Sequence, residues 1–324
     1  RAVRPLKIKA WNIQLSEPNV LVLDRPRYRI GNGAWQPETE ILRVDRAARS
    51  ALGIPPRGGS MVQPWAQKPD RTHKTVPVEL VYTIRIDTVP AGVIELALEH
   101  PEWFKASLNG RPLDTRQAHE WWTDRSLRKV PFDAERLHSG ANELRLLCDY
   151  DAKSGLELCY FLGNFGVKVK GAQATITPQV TSLKIGDWVK QGLAFYAGHV
   201  TYHTNVKLPR RKDAHVFLRL SAFRGVGARI FVNDRPAGML AWPPYEADIT
   251  AFVKSTPCMV KLGIEILGHR RNSHGPLHNA QKWPVWTGPA EFITTGNQWC
   301  EAYQLVPCGL LKPPELVIKV AGKE

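Results

Sequence analysis

The sequence predicts an all-β protein: two tandem antiparallel jelly-roll sandwiches preceded by a small β-rich linker segment. Three observations carry that expectation. Gly and Pro number 25 each in 324 residues, short apolar stretches alternate with polar residues, and one pattern recurs about 120 positions later. With 43% hydrophobic and 23% charged residues, the composition is that of a folded chain with ample core, which excludes disordered and collagen-like character.

The elements follow in order. Residues 1–74, the linker segment, carry strand signals at Leu6 to Leu15, Asn19 to Leu23 and Arg27 to Ile30, then a Gly31-Asn32-Gly33 turn. Helical character is confined to Ile41 to Leu52, where Leu42, Ala47, Ala48 and Leu52 share a face, and Pro55-Pro56-Arg57-Gly58-Gly59 ends it. Residues 75–176 form the expected first sandwich, with strands Val78 to Ile86, Val93 to Glu99, Phe104 to Leu108 and Glu143 to Leu147. Residues 177–324 repeat the plan with Val200 to Leu208, Val216 to Leu220, Ala228 to Val232 and Val260 to Ile266, and two closing strands lie between Ala302 and Val320. Asn109-Gly110 and Asn233-Asp234 are hairpin signals, because these residues accept the positive φ of tight reverse turns.

The repeat fixes the division into two sandwiches. Tyr82-Thr83-Ile84-Arg85-Ile86 is echoed by Tyr202-His203-Thr204-Asn205-Val206 at an offset of 120, and Asn109 by Asn233 at 124. The offset falls to 115 between Asp133 and Asp248, because 24 residues separate Asn109 from Asp133 but only 15 separate Asn233 from Asp248. A shorter loop in the second copy explains the drift.

The net charge of +14 admits nucleic acid, anionic membrane or acidic polysaccharide as partners. Its clusters (Arg1 to Lys9, Pro209 to Lys212, His269-Arg270-Arg271) are short and turn-flanked, and no basic helix, zinc-finger spacing or RNP-type strand accompanies them. Nucleic acid is therefore not expected as a partner. No run of 18 apolar residues is present, so no membrane-spanning helix is expected. Five cysteines without CxxC spacing read as small buried hydrophobes, with Cys300 and Cys308 the one pair left open to bridging. A first residue other than Met and the lack of a signal peptide read as a fragment or processed product.

Motifs for dinucleotide binding, a Walker loop, a Gly-x-Ser-x-Gly elbow and a His-Glu-x-x-His helix are absent. The richest polar stretch runs from His269 to Asn279, followed by Trp283 and Trp286. Its three histidines have the chemistry of a zinc, copper or nickel site, but spacings of five and four in a Gly-Pro loop do not present them on one face. A structured loop that packs against a neighbouring domain or touches sugar fits better. Indole rings in turn-rich stretches offer a stacking face for sugar C–H groups, and Trp242 in Trp242-Pro243-Pro244-Tyr245 is the best placed of them. The carboxylates Glu99, Glu102, Glu120, Asp124, Asp248, Glu265 and Glu291 supply no pair that sequence can show converging, and Asp124 and Asp248 read as turn caps.

Trp188 to Tyr202, Ile230 to Gly238 and Tyr245 to Thr250 resemble the galactose-binding-like jelly rolls of large bacterial glycoside hydrolases, among them family 2 sugar-binding domains and α-L-rhamnosidase-like enzymes. Asn272-Ser273-His274-Gly275-Pro276-Leu277-His278-Asn279 is similar to their Asn-x-x-Gly-Pro-His-His stretch, with Leu277 where a His is common, and Tyr303 to Leu310 to their closing strand. The resemblance implies a non-catalytic portion that binds carbohydrate or supports an N-terminal catalytic barrel, and an extracellular or periplasmic location. No cofactor is expected; a structural calcium is implied at most, with no residue to assign to it. Trp242, Tyr245, Arg270, Asn272, His274, His278 and Trp286 are the expected contacts with glycan or barrel. Two alternatives stand beside this reading: a polysaccharide lyase or hydrolase acting on acidic glycans through a face around Glu99, His119, Glu265 and His269, and a pair of purely structural spacers.

Overall fold

The computed structural model describes residues 2–57, 74–208, 214–253, 258–284 and 286–320. Gly58-Gly59 and the Pro209 to Lys212 cluster lie outside them. Contacts divide the chain into two units, each assembled from pieces remote in sequence: Asn19–Gln179 with Gly275–Gln304, and Arg1–Pro18 with Val180–His274 and Leu305–Glu324. Both are two-sheet sandwiches, antiparallel except where Gln173–Thr177 runs parallel to Val76–Ile86.

In the first sandwich, one sheet runs in the order Asn19–Leu23, Cys159–Gly163, Val93–Glu99, Asp124–Asp133, His119–Trp122. The other runs Gly166–Lys170, Gln173–Thr177, Val76–Ile86, Gly140–Tyr150, Lys105–Leu108, Arg111–Leu113, with Arg27–Ile30 also on Val76–Ile86. Gly140–Tyr150 shows why the fold is stable: Leu144, Leu146, Cys148 and Tyr150 point inward at every second position while Glu143, Arg145, Leu147 and Asp149 face outward. Asn19–Leu23 and Cys159–Gly163 are buried on both faces, which their unbroken apolar runs anticipate.

The second sandwich repeats the central part of this plan with fewer strands. One sheet runs Ala2–Pro5, Glu315–Val320, Ala214–Arg219, Glu246–Asp248, and the other Ser182–Leu183, Trp11–Leu15, Val200–Leu208, Cys258–Leu267, Gly227–Val232, Arg235–Leu240. Its core centres on Trp11, Trp188, Tyr196, Tyr202, Leu218, Ile230 and Ile264. Trp11 lies edge-on to Tyr202 at 6.2 Å and Trp188 edge-on to Tyr196 at 6.2 Å, a favoured aromatic geometry.

The hairpins carry the repeat at atomic detail. Asn109 and Gly110 turn with φ of 50° and 75°, and Asn233 and Asp234 with φ of 51° and 61°. In the first copy the Asn109 amide donates to the Glu143 carbonyl at 2.9 Å, and the Glu143 amide donates to Asn109 Oδ1 at 2.9 Å. In the second, Asn233 makes the same two bonds with Lys261, at 2.8 and 2.9 Å. Asp133 caps a short 3-10 turn by accepting from the Glu135 amide at 2.9 Å, and Asp248, one residue ahead of the cap position of the second copy's 3-10 turn, accepts from the Thr250 amide at 2.9 Å.

The structure redraws several expectations. Residues 1–74 are not a linker unit of their own: Ala2–Pro5 and Trp11–Leu15 pair within the second sandwich, Asn19–Leu23 and Arg27–Ile30 within the first. Of the expected strand Leu6 to Leu15 only Trp11–Leu15 is strand, and Ala2–Pro5, ahead of that range, is a separate strand in the other sheet of the sandwich. The segment between Asn109 and Asp133 holds three strands and a 3-10 turn rather than a plain loop. The helix Ile41–Leu52 has the expected bounds, with Gly53 at φ 71° closing it, but buries Ile41, Val44, Asp45 and Ala48. Of the expected face only Ala48 is buried, because the Asp45 carboxylate is drawn inward by the Tyr150 hydroxyl at 2.7 Å, the Leu156 amide at 3.0 Å and Arg57 Nε at 3.1 Å. Four cysteines, Cys148, Cys159, Cys300 and Cys308, are free thiols, so Cys300 and Cys308 are not bridged.

Replacing Asn233 by Ala removes the side-chain acceptor and with it asparagine's tolerance of the left-handed backbone, and is expected to destabilise by about 2 kcal/mol in urea unfolding. Asn233→Gly should recover part of that loss. Asn109→Ala should be worse than Asn233→Ala, because Asn109 Nδ2 also donates to the Arg136 carbonyl at 2.9 Å and to Asn142 Oδ1 at 2.8 Å. Equal losses at the two sites would contradict this account.

Candidate functional site

The first sandwich holds a buried polar cluster built around Asp24. This carboxylate ends the doubly buried strand Asn19–Leu23 and is itself buried. His278 Nε2 lies 2.9 Å from Asp24 Oδ2, and the Tyr303 hydroxyl donates to Asp24 Oδ1 at 2.6 Å. His278 Nδ1 lies 2.9 Å from the carbonyl oxygen of Cys300. A carbonyl and an ionised carboxylate only accept, so the His278 ring carries protons on both nitrogens. Burial opposes that charge, but the Asp24 hydrogen bond and charge, the Cys300 carbonyl and Glu40 outweigh it and hold the His278 pKa above its ordinary value.

Glu40 is the N-cap of the helix Ile41–Leu52 and accepts from the amides of Leu42 at 3.0 Å and Arg43 at 3.2 Å. Burial, and then the charge of Asp24, push its carboxyl up to about 7 against those hydrogen bonds. A ring of aromatic and charged groups surrounds the pair. His278 stacks on Trp299 at 5.1 Å and lies beside Tyr303 at 5.1 Å, while Glu301 pairs with Arg25 at 2.6 Å. The Arg43 guanidinium sits over Trp299 at 4.9 Å.

With both ring nitrogens engaged, His278 is not available to abstract or donate a substrate proton. The network instead fixes both ends of the segment 279–299, through Cys300 N to the His278 carbonyl at 2.8 Å and Ala280 N to the Gln298 carbonyl at 2.9 Å. Between those ties Trp283 and Trp286 stand 60% and 76% exposed.

The structure does not gather the seven residues expected from sequence into one cluster. Trp242, Tyr245, Arg270, Asn272 and His274 belong to the second sandwich, His278 and Trp286 to the first. Trp242 is 76% exposed. Tyr245 is half-buried, edge-on to Phe223 at 5.0 Å. Arg270 grips Glu17 with two bonds of 2.5 and 2.8 Å. Asn272 is fully buried and spends its amide on the backbone of Val306, at 2.8 and 2.9 Å, so it is an internal tie rather than a surface contact. His274 Nδ1 lies 2.8 Å from Ser273 Oγ.

Among the described residues, no group of three or more His, Cys, Asp or Glu side chains is placed to hold a metal. His269 and His274 lie in one unit and His278 in the other. The four residues of the lyase alternative also divide, Glu99 and His119 from Glu265 and His269, so they share no sheet face. Asp124 accepts from the Ser126 amide at 2.8 Å, and together with the bond from the Thr250 amide to Asp248 this gives both aspartates the turn-capping place their positions foretell. Asp24, Glu40 and Tyr303 escaped sequence reasoning. The available signal was a charge directly after the all-apolar run Val20-Leu21-Val22-Leu23, since such a carboxylate has to be partnered.

No protein-family model matches the chain, and no curated protein matches it in sequence. Among solved structures it is similar to a rhamnosidase from Novosphingobium sp. PP1Y, with 17% identity and a TM-score of 0.31 over 85% of this chain and 26% of that one. A β-D-mannosidase from Dictyoglomus thermophilum shows 11% identity and a TM-score of 0.28 over 77% of this chain and 31% of that one. A β-glucuronidase from Faecalibacterium prausnitzii shows 14% identity and a TM-score of 0.29 over 48% of this chain and 30% of that one. The chain thus corresponds to about a third or less of each.

Glu40 and His278 both hold their protons more tightly folded than unfolded, so their contribution is complete below the unfolded values and is lost as pH rises through the folded ones. For Glu40 that window runs from 4.5 to about 7. Glu40→Gln mimics the protonated acid and should gain on the native protein between pH 5 and 8, by on the order of 2 kcal/mol in urea unfolding. A pH-independent difference would refute the assignment. His278→Gln should be strongly destabilising at pH 6, by about 3 kcal/mol, because it leaves Asp24 charged and buried.

Proposed function

We propose that this chain is the non-catalytic, carbohydrate-binding or barrel-supporting β-sandwich portion of a glycoside hydrolase whose catalytic barrel lies outside it. The observation that carries the reading is the exposure of indoles in loops. Trp242 and Trp286 are each 76% exposed and Trp283 60%, whereas Trp11 and Trp188 are fully buried core residues. An exposed indole in a loop that is tied down at both ends gives up hydration of its face on binding but little conformational freedom, which suits stacking on a sugar ring. The resemblance of Trp188 to Tyr202 and of Ile230 to Gly238 to galactose-binding-like jelly rolls supports the same reading. Of the expected contacts, Trp242 and Trp286 are the residues we assign to glycan. Tyr245, Arg270, His274 and His278 support the loops around them. A barrel partner would engage a surface of the same chain.

The purified chain should be retarded on affinity gels containing plant or bacterial polysaccharide and should not hydrolyse aryl-glycosides. Trp242→Ala and Trp286→Ala should each weaken retention about tenfold, with unfolding midpoints unchanged, since loss of one aromatic stacking platform costs about 1 to 3 kcal/mol where a planar nucleobase is the partner and a sugar face should lie near the lower end. Unchanged retention in the double variant, or aryl-glycoside turnover abolished by one carboxylate substitution, would overturn the proposal.

A further inference from the structure

The strand Val76–Ile86 has an interrupted edge. On one side it pairs with Gly140–Tyr150 along its whole length. On the other it pairs with Arg27–Ile30 from Val78 to Val81 and with Gln173–Thr177 at Arg85 and Ile86, so among the described residues Tyr82, Thr83 and Ile84 have no strand partner on that side. Backbone groups along such an edge favour a polar occupant. A groove opens there, lined by Arg25, Glu38, Thr83, Arg85, Gln173 and Tyr303.

Its charges are unevenly matched. Asp24, at the base, is already neutralised by His278 and hydrogen-bonded by Tyr303. Arg25 uses Nη2 on Glu301 at 2.6 Å, while its buried Nη1 has no acceptor among the described residues. Arg85 is half-exposed and has no carboxylate within ion-pair distance among the described residues. Glu38 lines the groove as an exposed side chain and pairs with neither arginine. The enclosed space is small, enough for an acid group but not for a whole sugar ring.

We infer that this groove receives the carboxylate of an acidic sugar, held by the Arg85 guanidinium with Arg25 beside it and the ring left outside. A planar carboxylate matches the donor fork of arginine in two parallel bonds, and Gln173 and Thr83 offer further polar groups to its oxygens. The choice of a sugar as the bearer of the acid rests on the carbohydrate-binding reading above. The acid group itself rests on the groove alone.

The test is calorimetric titration of the full chain at low salt with glucuronate, galacturonate, glucose, acetate and inorganic phosphate. Glucuronate or galacturonate should bind, acetate more weakly, and glucose not at all. Arg85→Gln should weaken binding at least tenfold, Gln173→Glu should weaken it about threefold, and Glu38→Gln should strengthen it about twofold. None of these three should change retention on neutral polysaccharide, which reads the tryptophan loops. Uronate binding that survives both Arg85→Gln and Gln173→Glu would overturn the inference, as would phosphate binding without uronate binding. Retention on neutral polysaccharide with no uronate binding would overturn this site and leave the carbohydrate reading standing. Uronate binding lost in Arg85→Gln, with no retention on neutral polysaccharide, would keep the acid site and remove the stacking role of the tryptophans.

Discussion

The first sandwich depends on one buried carboxylate having enough partners. Asp24 follows a strand that is buried on both faces, and its charge is almost wholly withdrawn from water. Its side chain takes His278 and Tyr303, and its carbonyl accepts the Ile41 amide at 2.7 Å at the start of the helix. One residue therefore fixes a strand end, a helix entry and a segment from more than 250 positions further along the chain. The neighbouring Glu40 is pushed up to about 7 by the same scarcity of solvent, so the repulsion between the two carboxylates is eased as Glu40 takes up its proton. The loop carrying Trp283 and Trp286 is held by this arrangement, which links the deepest electrostatics of the unit to its most exposed aromatic surface.

The two sandwiches solve the same packing problem by the same local chemistry. In each, a central hairpin turns on an asparagine whose side chain replaces a missing ladder bond, and an aspartate leads into a 3-10 turn after the matching strand of the opposite sheet. What differs is decoration. The first copy has the extra edge strand His119–Trp122, where Glu120 and Thr123 adopt positive φ, and it retains the gap beside Tyr82 to Ile84. These additions sit on an unchanged frame, in keeping with function carried by edges and loops.

Much of this was legible in the sequence because it is local. Alternation at Val200 to Leu208, the unbroken run at Asn19 to Leu23, the helix from Ile41 to Leu52 and the paired asparagine turns each follow from a few neighbouring residues. The allocation of the N-terminal strands was not legible, since Trp11–Leu15 and Asn19–Leu23 are equally good strands and only their distant partners decide which sandwich each joins. The polar stretch from His269 to Asn279 misled for a related reason. Its residues look like surface groups, yet Asn272 is consumed by Val306 and His278 by Asp24, and neither partner is near in sequence. The helix face was misread because hydrophobicity alone cannot place Asp45 inward.

The pairing of Ala2–Pro5 with Glu315–Val320, with Ala2 opposite Ile318, has a consequence for synthesis. The earliest strand of this sequence to leave a ribosome has no partner until nearly all of the rest has followed, and Asn19–Leu23 in turn waits for Cys159–Gly163. Such long-range closures slow folding and leave strand edges open meanwhile. The first sandwich can assemble most of its two sheets before the second has its last strand, so the nascent chain should mature in two stages, with the outermost N-terminal strand docking at the very end.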